Sequence, residues 1–284
     1  SGAPRRQPPT EGDCMKRILC LALACGVLAA ATPALANKLD DIKARGTLIC
    51  GVKDSVVPFG FIDETTKQLT GFDVDLCRGI AEYIGVKPEL KTVSSATRIP
   101  MLTQGSVDLV LATFTHQIAR DDSIDFSITY FDAGQRLLVK KDSGITSPAD
   151  LKGKRVGSVK GSTSEKNMKA AQPDCTVVSF DEYPQAFLAL KQGKVVAVTT
   201  DEPILVGLKN SDPDPSHGEV VGDFIASEPY AVGRVENESK LREAVNFALM
   251  DMWRSGKFQE YYTTWFGEGT KFHIPLRWQM EIWP

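Results

Sequence analysis

Between residues 48 and 112, short apolar runs alternate with segments that carry apolar side chains at helical spacing. The apolar runs have the length of buried strands, and the other segments have the period of amphipathic helices. The order strand, helix, strand, helix, strand is typical of a parallel sheet with crossover helices. The predicted strands cover residues 48–52, 87–93 and 107–112, and the predicted helices cover residues 73–84 and 99–104.

The same pattern returns in the middle of the chain, with strands predicted at residues 154–159 and 176–180. Residues 102–110 (LTQGSVDLV) and 190–198 (LKQGKVVAV) each contain a helix end, a Gln-Gly stop and an apolar strand. We therefore predict an α/β protein of two lobes, each a mostly parallel sheet flanked by helices. Because ligands of open α/β sheets bind beyond the carboxyl ends of the strands, the predicted site is a cleft between the lobes.

The N-terminal residues are predicted to be a targeting segment. A basic Met15-Lys16-Arg17 precedes an apolar run and then Ala34-Leu35-Ala36, which is typical of a secretory signal peptide. The apolar run is shorter than the roughly 20 residues that a membrane-spanning helix needs. We predict upstream residues at 1–14, a signal peptide at 15–36 and cleavage after Ala36. Lipid attachment at Cys25 is the alternative, because Leu23-Ala24-Cys25-Gly26 is a loose lipobox.

The remainder of the chain is predicted to pass between the lobes twice. Lobe 1 takes residues 37–134 and residues 227–284, and lobe 2 takes residues 135–226. Residues 239–266 have a helical pattern, and the aromatic tail after them is expected to pack on the body of the protein through Trp278 and Trp283.

Charge and composition exclude several classes of function. The formal net charge is −3 without a basic tract, which argues against a nucleic-acid partner. The three histidines lack the spacing of metal ligands, and no phosphate-binding glycine loop or nucleophile motif is present, so we predict no metal and no cofactor. Cys50 and Cys77 lie in apolar runs and are expected to be small core residues, although one disulfide remains open in an exported protein.

Candidate chemistry collects after the predicted strands. Arg120 shares a loop with Thr113 and Thr115, and a guanidinium beside hydroxyl and N–H donors suits a carboxylate. The start of a predicted helix at residues 161–163 (Gly-Ser-Thr) is a second anion site, because backbone N–H groups are free there. Asp201 supplies the opposite charge from the other lobe. A carboxylate site together with an ammonium site describes an α-amino acid.

Residues 71–84, GFDVDLCRGIAEYI, resemble the signature of the family 3 extracellular solute-binding proteins, the polar amino-acid receptors of bacterial ABC importers. The resemblance extends over essentially all of residues 37–284. It implies the periplasmic binding protein fold and a monomeric periplasmic receptor that closes around an amino acid and docks on an inner-membrane ABC permease. It continues through residues 99–100, 104–108, 125–127, 137–139, 150–154 and 201–203.

The resemblance also assigns roles to the candidate residues. Arg120 matches the arginine that clamps the ligand α-carboxylate, and Asp201 matches the acid that holds the α-ammonium. One departure concerns residues 117–119, which are Gln-Ile-Ala where the family usually has Thr-Pro-Glu. The other matched positions are Thr115 as the hydroxyl and N–H partner of the arginine, Thr113 as a carboxylate or ammonium ligand, and Ser162 and Thr163 as the second-lobe loop that completes carboxylate binding.

Ligand specificity is predicted from Lys53 and Arg98, which resemble the two family positions that face the ligand side chain. Two cations there favour an acidic side chain. Residues 95–100 (SATRIP) look closest to the glutamate/aspartate receptors, so glutamate or aspartate is the favoured ligand, and glutamine or another polar amino acid is the next. Phe59 is predicted to stack on the aliphatic part of the ligand or, as an equal alternative, to anchor its loop.

An enzyme on the same scaffold is the competing function, because the family includes relatives that dehydrate prephenate or arogenate. Such a cyclohexadienyl dehydratase needs a general acid in the cleft. Asp54 and Glu202 are possible carboxylates, but no motif marks either of them, and we therefore predict a binding protein rather than an enzyme.

Overall fold

The computed structural model describes Gly2 and residues 37–284. The predicted upstream segment, the signal peptide with its cleavage site and the alternative lipid attachment at Cys25 lie outside the described residues. In the part of the chain that is described, no helix combines the length and the apolar character needed to cross a membrane.

Residues 37–284 form eight α-helices and eleven strands, with short 3₁₀ turns between some of them. The helices are α1 (Lys38–Arg45), α2 (Phe72–Ile84), α3 (Arg98–Thr103), α4 (Thr163–Ala171), α5 (Tyr183–Lys191), α6 (Glu202–Ser211), α7 (Ser239–Ser255) and α8 (Lys257–Phe266). The strands are β1 (Thr47–Val52), β2 (Ser55–Val56), β3 (Gly60–Ile62), β4 (Leu69–Thr70), β5 (Lys87–Thr92), β6 (Leu109–Val110), β7 (Asp125–Val139), β8 (Arg155–Val159), β9 (Thr176–Phe180), β10 (Ala197–Asp201) and β11 (Glu219–Arg234).

Eight of these strands form one sheet in the order β5-β1-β6-β11-β7-β10-β8-β9. The outer groups β5-β1-β6 and β10-β8-β9 are parallel, as the strand and helix order predicted, and they fall within the residues predicted for lobe 1 and lobe 2, respectively. Between them, β11 and β7 run antiparallel to each other and to their neighbours. The molecule therefore has the predicted two-lobed fold, but its two parallel groups belong to a single sheet rather than to two.

The long strands β7 and β11 are absent from the sequence predictions. Most of β7 is buried on both faces, so its sequence lacks the alternation of apolar and polar residues that marks a half-exposed strand. The predicted lobe limits at residues 134/135 and 226/227 fall inside these two strands, and the assignment of residues to lobes stays a prediction.

Helix α2 is bounded by a glycine at each end. Gly85 ends the helix in the left-handed conformation, φ 84°, and its N–H donates to the carbonyls of Ala81 and Glu82. At the other end, Gly71 precedes the helix with φ 132°, and a Cβ atom there would lie 2.2 Å from the carbonyl oxygen of Phe59. Only glycine allows so close an approach, which seats α2 against the loop after β2.

An aromatic cluster fills the core of lobe 1. The ring of Phe59 lies 5.2 Å from the rings of both Phe131 and Phe266. The predicted packing of the C-terminal tail is confirmed: the ring of Trp278 lies 5.7 Å from that of Trp253, and Trp283 contacts Phe247 at 5.9 Å. The tail thus closes the outer side of the lobe 1 helices.

Cys50 and Cys77 form a disulfide, the possibility that the sequence left open for an exported protein. Both are fully buried, as expected, but α2 packs on β1 so that their Cα atoms lie 6.4 Å apart, within the range that a disulfide spans. The third cysteine of this part of the chain, Cys175, is free and half-buried.

Replacing both Cys50 and Cys77 with alanine should lower the free energy of unfolding by about 3 kcal/mol, since the disulfide constrains a long loop in the unfolded chain. Urea unfolding followed by circular dichroism measures this effect. The matched control is Cys175→Ala, which removes a thiol without a crosslink and should leave stability within about 0.5 kcal/mol. Equal stability of the double variant and the control would contradict the prediction.

Candidate functional site

The polar residues predicted from the strand ends come together where the two lobes meet. Thr113, Thr115 and Arg120 follow β6 in lobe 1, and Asp201 is the last residue of β10 in lobe 2. The loop after β8 completes the group: Gly161, with φ 79°, lies so close to lobe 1 that a Cβ atom would be 2.8 Å from the carbonyl oxygen of Ser95. The lobes are therefore in contact around the site.

Arg120 is buried in the cleft. Its Nη1 donates to the carbonyl of Thr115 at 2.5 Å, its Nη2 donates to the carbonyl of Gly161 at 3.4 Å, and its guanidinium lies 4.7 Å from the ring centre of Phe114. Both hydrogen-bond partners are neutral. Burial and the nearby charge of Arg98 lower the pKa of Arg120, which means that its positive charge is less stable here than in water. A carboxylate beside this guanidinium would relieve that penalty.

Thr113 is held in an unusual backbone conformation beside Arg120. Its φ is 45°, and its N–H donates to Asp73 Oδ2 at 2.9 Å. Asp73 is the second residue of α2, and its other oxygen accepts from the hydroxyl of Tyr130 at 2.8 Å. Burial raises the pKa of Asp73 to about 7. The acid thus fixes the strand end that carries Thr113 and Thr115.

Helix α4 begins at Thr163, directly after Ser162. The Ser162 hydroxyl does not cap the helix but donates to the carbonyl of Val159 at 2.7 Å. The first N–H groups of a helix have no partners within the helix and carry the positive end of its dipole. The start of α4 therefore presents N–H groups and the positive end of a helix dipole from lobe 2, next to Gly161, whose carbonyl accepts from Arg120.

Asp201 lies on the other side of the cleft. The hydroxyl of Tyr230 donates to Asp201 Oδ2 at 2.6 Å, and Asp201 Oδ1 has no partner within residues 37–284. Burial, and next the negative charge of Glu228, raise the pKa of Asp201 above its usual range. A cationic group placed at Oδ1 would stabilise the ionised form.

The two cations predicted to read the ligand side chain both have partners in the protein. Lys53 is fully buried, donates to the hydroxyl of Ser95 at 2.9 Å, and lies 3.6 Å from the carboxylate of Glu182 in lobe 2. Burial lowers the pKa of Lys53 to about 8. Arg98 donates to two backbone carbonyls, those of Ala112 at 2.7 Å and Thr113 at 3.0 Å.

Three other predicted residues are less directly placed. Phe59 lies in the aromatic core, 5.6 Å from the ring of Tyr230, which is the packing expected of a loop anchor. Glu202 pairs with Arg136 and lines a surface pocket with Phe224 and Arg277, so it lies away from the cleft. Asp54 is half-buried next to Lys53.

Sequence analysis missed two residues at the centre of the site, Glu228 and Tyr230. Both lie in β11, and Glu228 is 1% exposed. Its carboxylate accepts hydrogen bonds from the hydroxyls of Thr115 and Thr163 and from the amide of Asn167. The only local signal was an acid inside a run that is otherwise suited to a strand, and that signal is weak.

A two-lobed α/β fold with buried cationic and anionic groups facing each other between the lobes is that of a solute-binding protein. The profile of the bacterial extracellular solute-binding proteins, family 3, matches residues 48–268. The chain belongs to this family, as the resemblance in residues 71–84 predicted.

Relatives and solved structures agree on this class. The chain is 43% identical to a glutamine-binding protein of Geobacillus stearothermophilus over 73% of this chain and 80% of that protein. It is 30% identical to an L-glutamate/L-aspartate-binding protein of Pseudomonas aeruginosa over 91% and 92% of the two chains. A solved ancestral arginine-binding protein bound to glutamine is similar with a TM-score of 0.75, at 40% identity, covering 79% of this chain and 99% of that one.

Proposed function

We propose that this protein is the periplasmic receptor of an amino-acid ABC importer, and that it binds a polar L-α-amino acid between its lobes and presents it to a membrane permease. The observation that carries the proposal is the pair of opposite buried charges across the cleft, Arg120 on one side and Asp201 on the other. Each is poorly compensated by the protein itself, and a zwitterion would compensate both.

The carboxylate end of the ligand is assigned to Arg120 and to the start of α4. The guanidinium supplies a planar pair of donors, and its present partners are two carbonyl oxygens, which an anion would outcompete. Thr163 and Ser162 contribute the helix N-terminus from lobe 2. Because donors from both lobes bind one carboxylate, the ligand favours the closed arrangement of the lobes.

The ammonium end is assigned to Asp201. Its Oδ2 is held by Tyr230, which leaves Oδ1 to accept from the ligand. Thr113 lies buried on the lobe 1 side of the cleft, and we assign it a further contact with the ligand.

For the ligand side chain, the structure supports glutamine more strongly than glutamate or aspartate. The prediction of an acidic ligand rested on Lys53 and Arg98 as two uncompensated cations. Lys53 lies beside the carboxylate of Glu182, so that cation is compensated within the protein, whereas Arg98, like Arg120, donates to two neutral carbonyls. The relative with 43% identity is a glutamine-binding protein, whereas the glutamate/aspartate-binding relative has 30% identity. Glutamate remains the second candidate, since two cations lie near the site.

The deciding experiment is a thermal-shift screen of ligand-free protein against the twenty amino acids, followed by calorimetry on those that bind. A ligand at 100 times its Kd stabilises the fold by about 2.7 kcal/mol, which is readily seen as a higher melting temperature. We expect the largest shift with L-glutamine. A shift restricted to glutamate and aspartate would restore the acidic ligand, and no shift with any amino acid would overturn the proposal.

Binding should strengthen as the pH rises from about 5 to 8. The pKa of Asp201 is raised in the empty cleft, and a bound ammonium would lower it, so binding releases a proton and is favoured at higher pH. Calorimetry in buffers of different ionisation enthalpy measures the released proton directly. A pH-independent Kd without proton release would contradict the role of Asp201.

A further inference from the structure

Glu228 is a buried acid that the clamp described above does not use. It lies in β11, one of the two long strands between the parallel groups, and it is 1% exposed. Its Oε2 accepts from the hydroxyl of Thr115 at 2.5 Å and from the hydroxyl of Thr163 at 2.7 Å, and its Oε1 accepts from the amide of Asn167 at 2.8 Å. One carboxylate therefore joins the anion-binding elements of both lobes.

These hydrogen bonds decide which atoms can meet a ligand carboxylate. A threonine hydroxyl has a single proton, and in Thr115 and Thr163 that proton points to Glu228. The hydroxyl oxygens can then act only as acceptors towards a ligand. The ligand carboxylate is left with Arg120 and backbone N–H groups, and Glu228 adds a negative charge close to that end of the cleft.

Carboxyl groups outnumber cations around the cleft once Glu228 is counted. The cations are Lys53, Arg98 and Arg120, and the carboxyl groups are Asp73, Asp201, Glu228 and the partly exposed Glu182 beside Lys53. An amino acid with a neutral side chain adds no net charge to this set, whereas glutamate or aspartate adds one uncompensated negative charge. An unpaired charge in a buried site is strongly unfavourable.

We propose that Glu228 is a specificity-determining residue whose buried negative charge, held between Thr115 and Thr163, discriminates against ligands with an anionic side chain. The inference rests on the proposed function, because it concerns which amino acid the same cleft accepts. Glu228 acts through the electrostatics of the site and through the two hydroxyls that it orients, rather than by contacting the α-carboxylate.

The test is the ratio of the affinities for L-glutamate and L-glutamine, measured by calorimetry. Glu228→Gln keeps the size of the side chain and an oxygen that accepts from both hydroxyls, but it removes the charge. We expect the glutamate-to-glutamine affinity ratio to rise by roughly tenfold or more, since a buried unit charge in the same cleft acts differently on an anionic and on a neutral side chain. Glu219→Gln, an exposed position on the same strand, should leave the ratio unchanged.

The outcomes separate the inference from the proposed function. If the unmodified protein binds no amino acid, the proposed function is wrong, and the inference with it. If it binds, and Glu228→Gln weakens the binding of both ligands by the same factor, Glu228 only supports the fold of the site and the inference is overturned.

Glu228→Asp provides a second variant. It keeps the charge and withdraws it from the hydroxyls, so it should weaken the binding of both ligands without changing the ratio of their affinities. A ratio that rises tenfold in Glu228→Asp would also overturn the inference.

Discussion

Replacing Arg120 with alanine is expected to weaken amino-acid binding by about 4 kcal/mol, or roughly a thousandfold, because the ligand carboxylate would lose its charged partner in a buried site. In the present structure this guanidinium is desolvated, stacks on Phe114, and donates to the neutral carbonyls of Thr115 and Gly161. The loss should appear mainly in the dissociation rate, since removing one partner of a buried charge pair acts chiefly on dissociation. Calorimetry with the ligand found in the screen gives the affinity.

One further variant and one control show whether binding needs the planar pair of guanidinium donors or only the positive charge. Arg120→Lys keeps a charge but replaces the planar pair of donors with a single ammonium group, and we expect an intermediate loss. Arg78→Ala removes an exposed arginine of α2 and should leave the affinity unchanged. Unchanged affinity in Arg120→Ala, with a native circular dichroism spectrum, would contradict the assignment of Arg120 to the carboxylate.

Replacing Asp201 with asparagine is expected to weaken binding by about 3 kcal/mol, because the ligand ammonium would lose its only assigned carboxylate. Asparagine can still accept from the hydroxyl of Tyr230, so the local structure should be retained. The variant should also bind its ligand with little dependence on pH, since the titrating group has been removed.

The same variant should make the ligand-free protein more stable above neutral pH. A carboxyl group whose pKa is raised by burial is favourable when protonated, and its contribution to stability is lost as the pH rises through the folded-state pKa. Asparagine does not ionise and therefore avoids this loss. Weaker binding together with higher stability is expected of a binding residue and not of a structural one.

Asp251→Asn, at an exposed position of α7, is the matched control for both measurements. Loss of both stability and binding in Asp201→Asn would point to a structural role instead.

Much of the architecture could be predicted because its signals are local. The stops at Gly85 and Gly105, the helical spacing of residues 73–84 and the apolar strands at residues 48–52 and 176–180 depend on neighbouring residues only. The placement of Arg120 and Asp201 at one cleft follows from the rule that strand ends of parallel units carry the ligand site. These features needed no knowledge of contacts between distant parts of the chain.

The pairing of Lys53 with Glu182 shows where sequence reasoning reached its limit. Two cations near a predicted cleft suggested an acidic ligand, but the carboxylate 3.6 Å from Lys53 lies in the other lobe. Whether a buried cation is compensated is a property of its surroundings in space, and the spacing of charges along the chain does not reveal it. The sequence left the disulfide between Cys50 and Cys77 open for the same reason.

By itself, the sequence determined the α/β order of elements, the family resemblance in residues 71–84 and the residues that carry charge at the strand ends. Only the tertiary structure decided that both parallel groups belong to one sheet through β7 and β11, and that Glu228 joins Thr115, 113 residues away along the chain, to Thr163 of the other lobe. The physical reason is that helix periodicity and turn chemistry act over a few residues. The charge balance of a buried cleft is set by residues that meet only after the chain has folded.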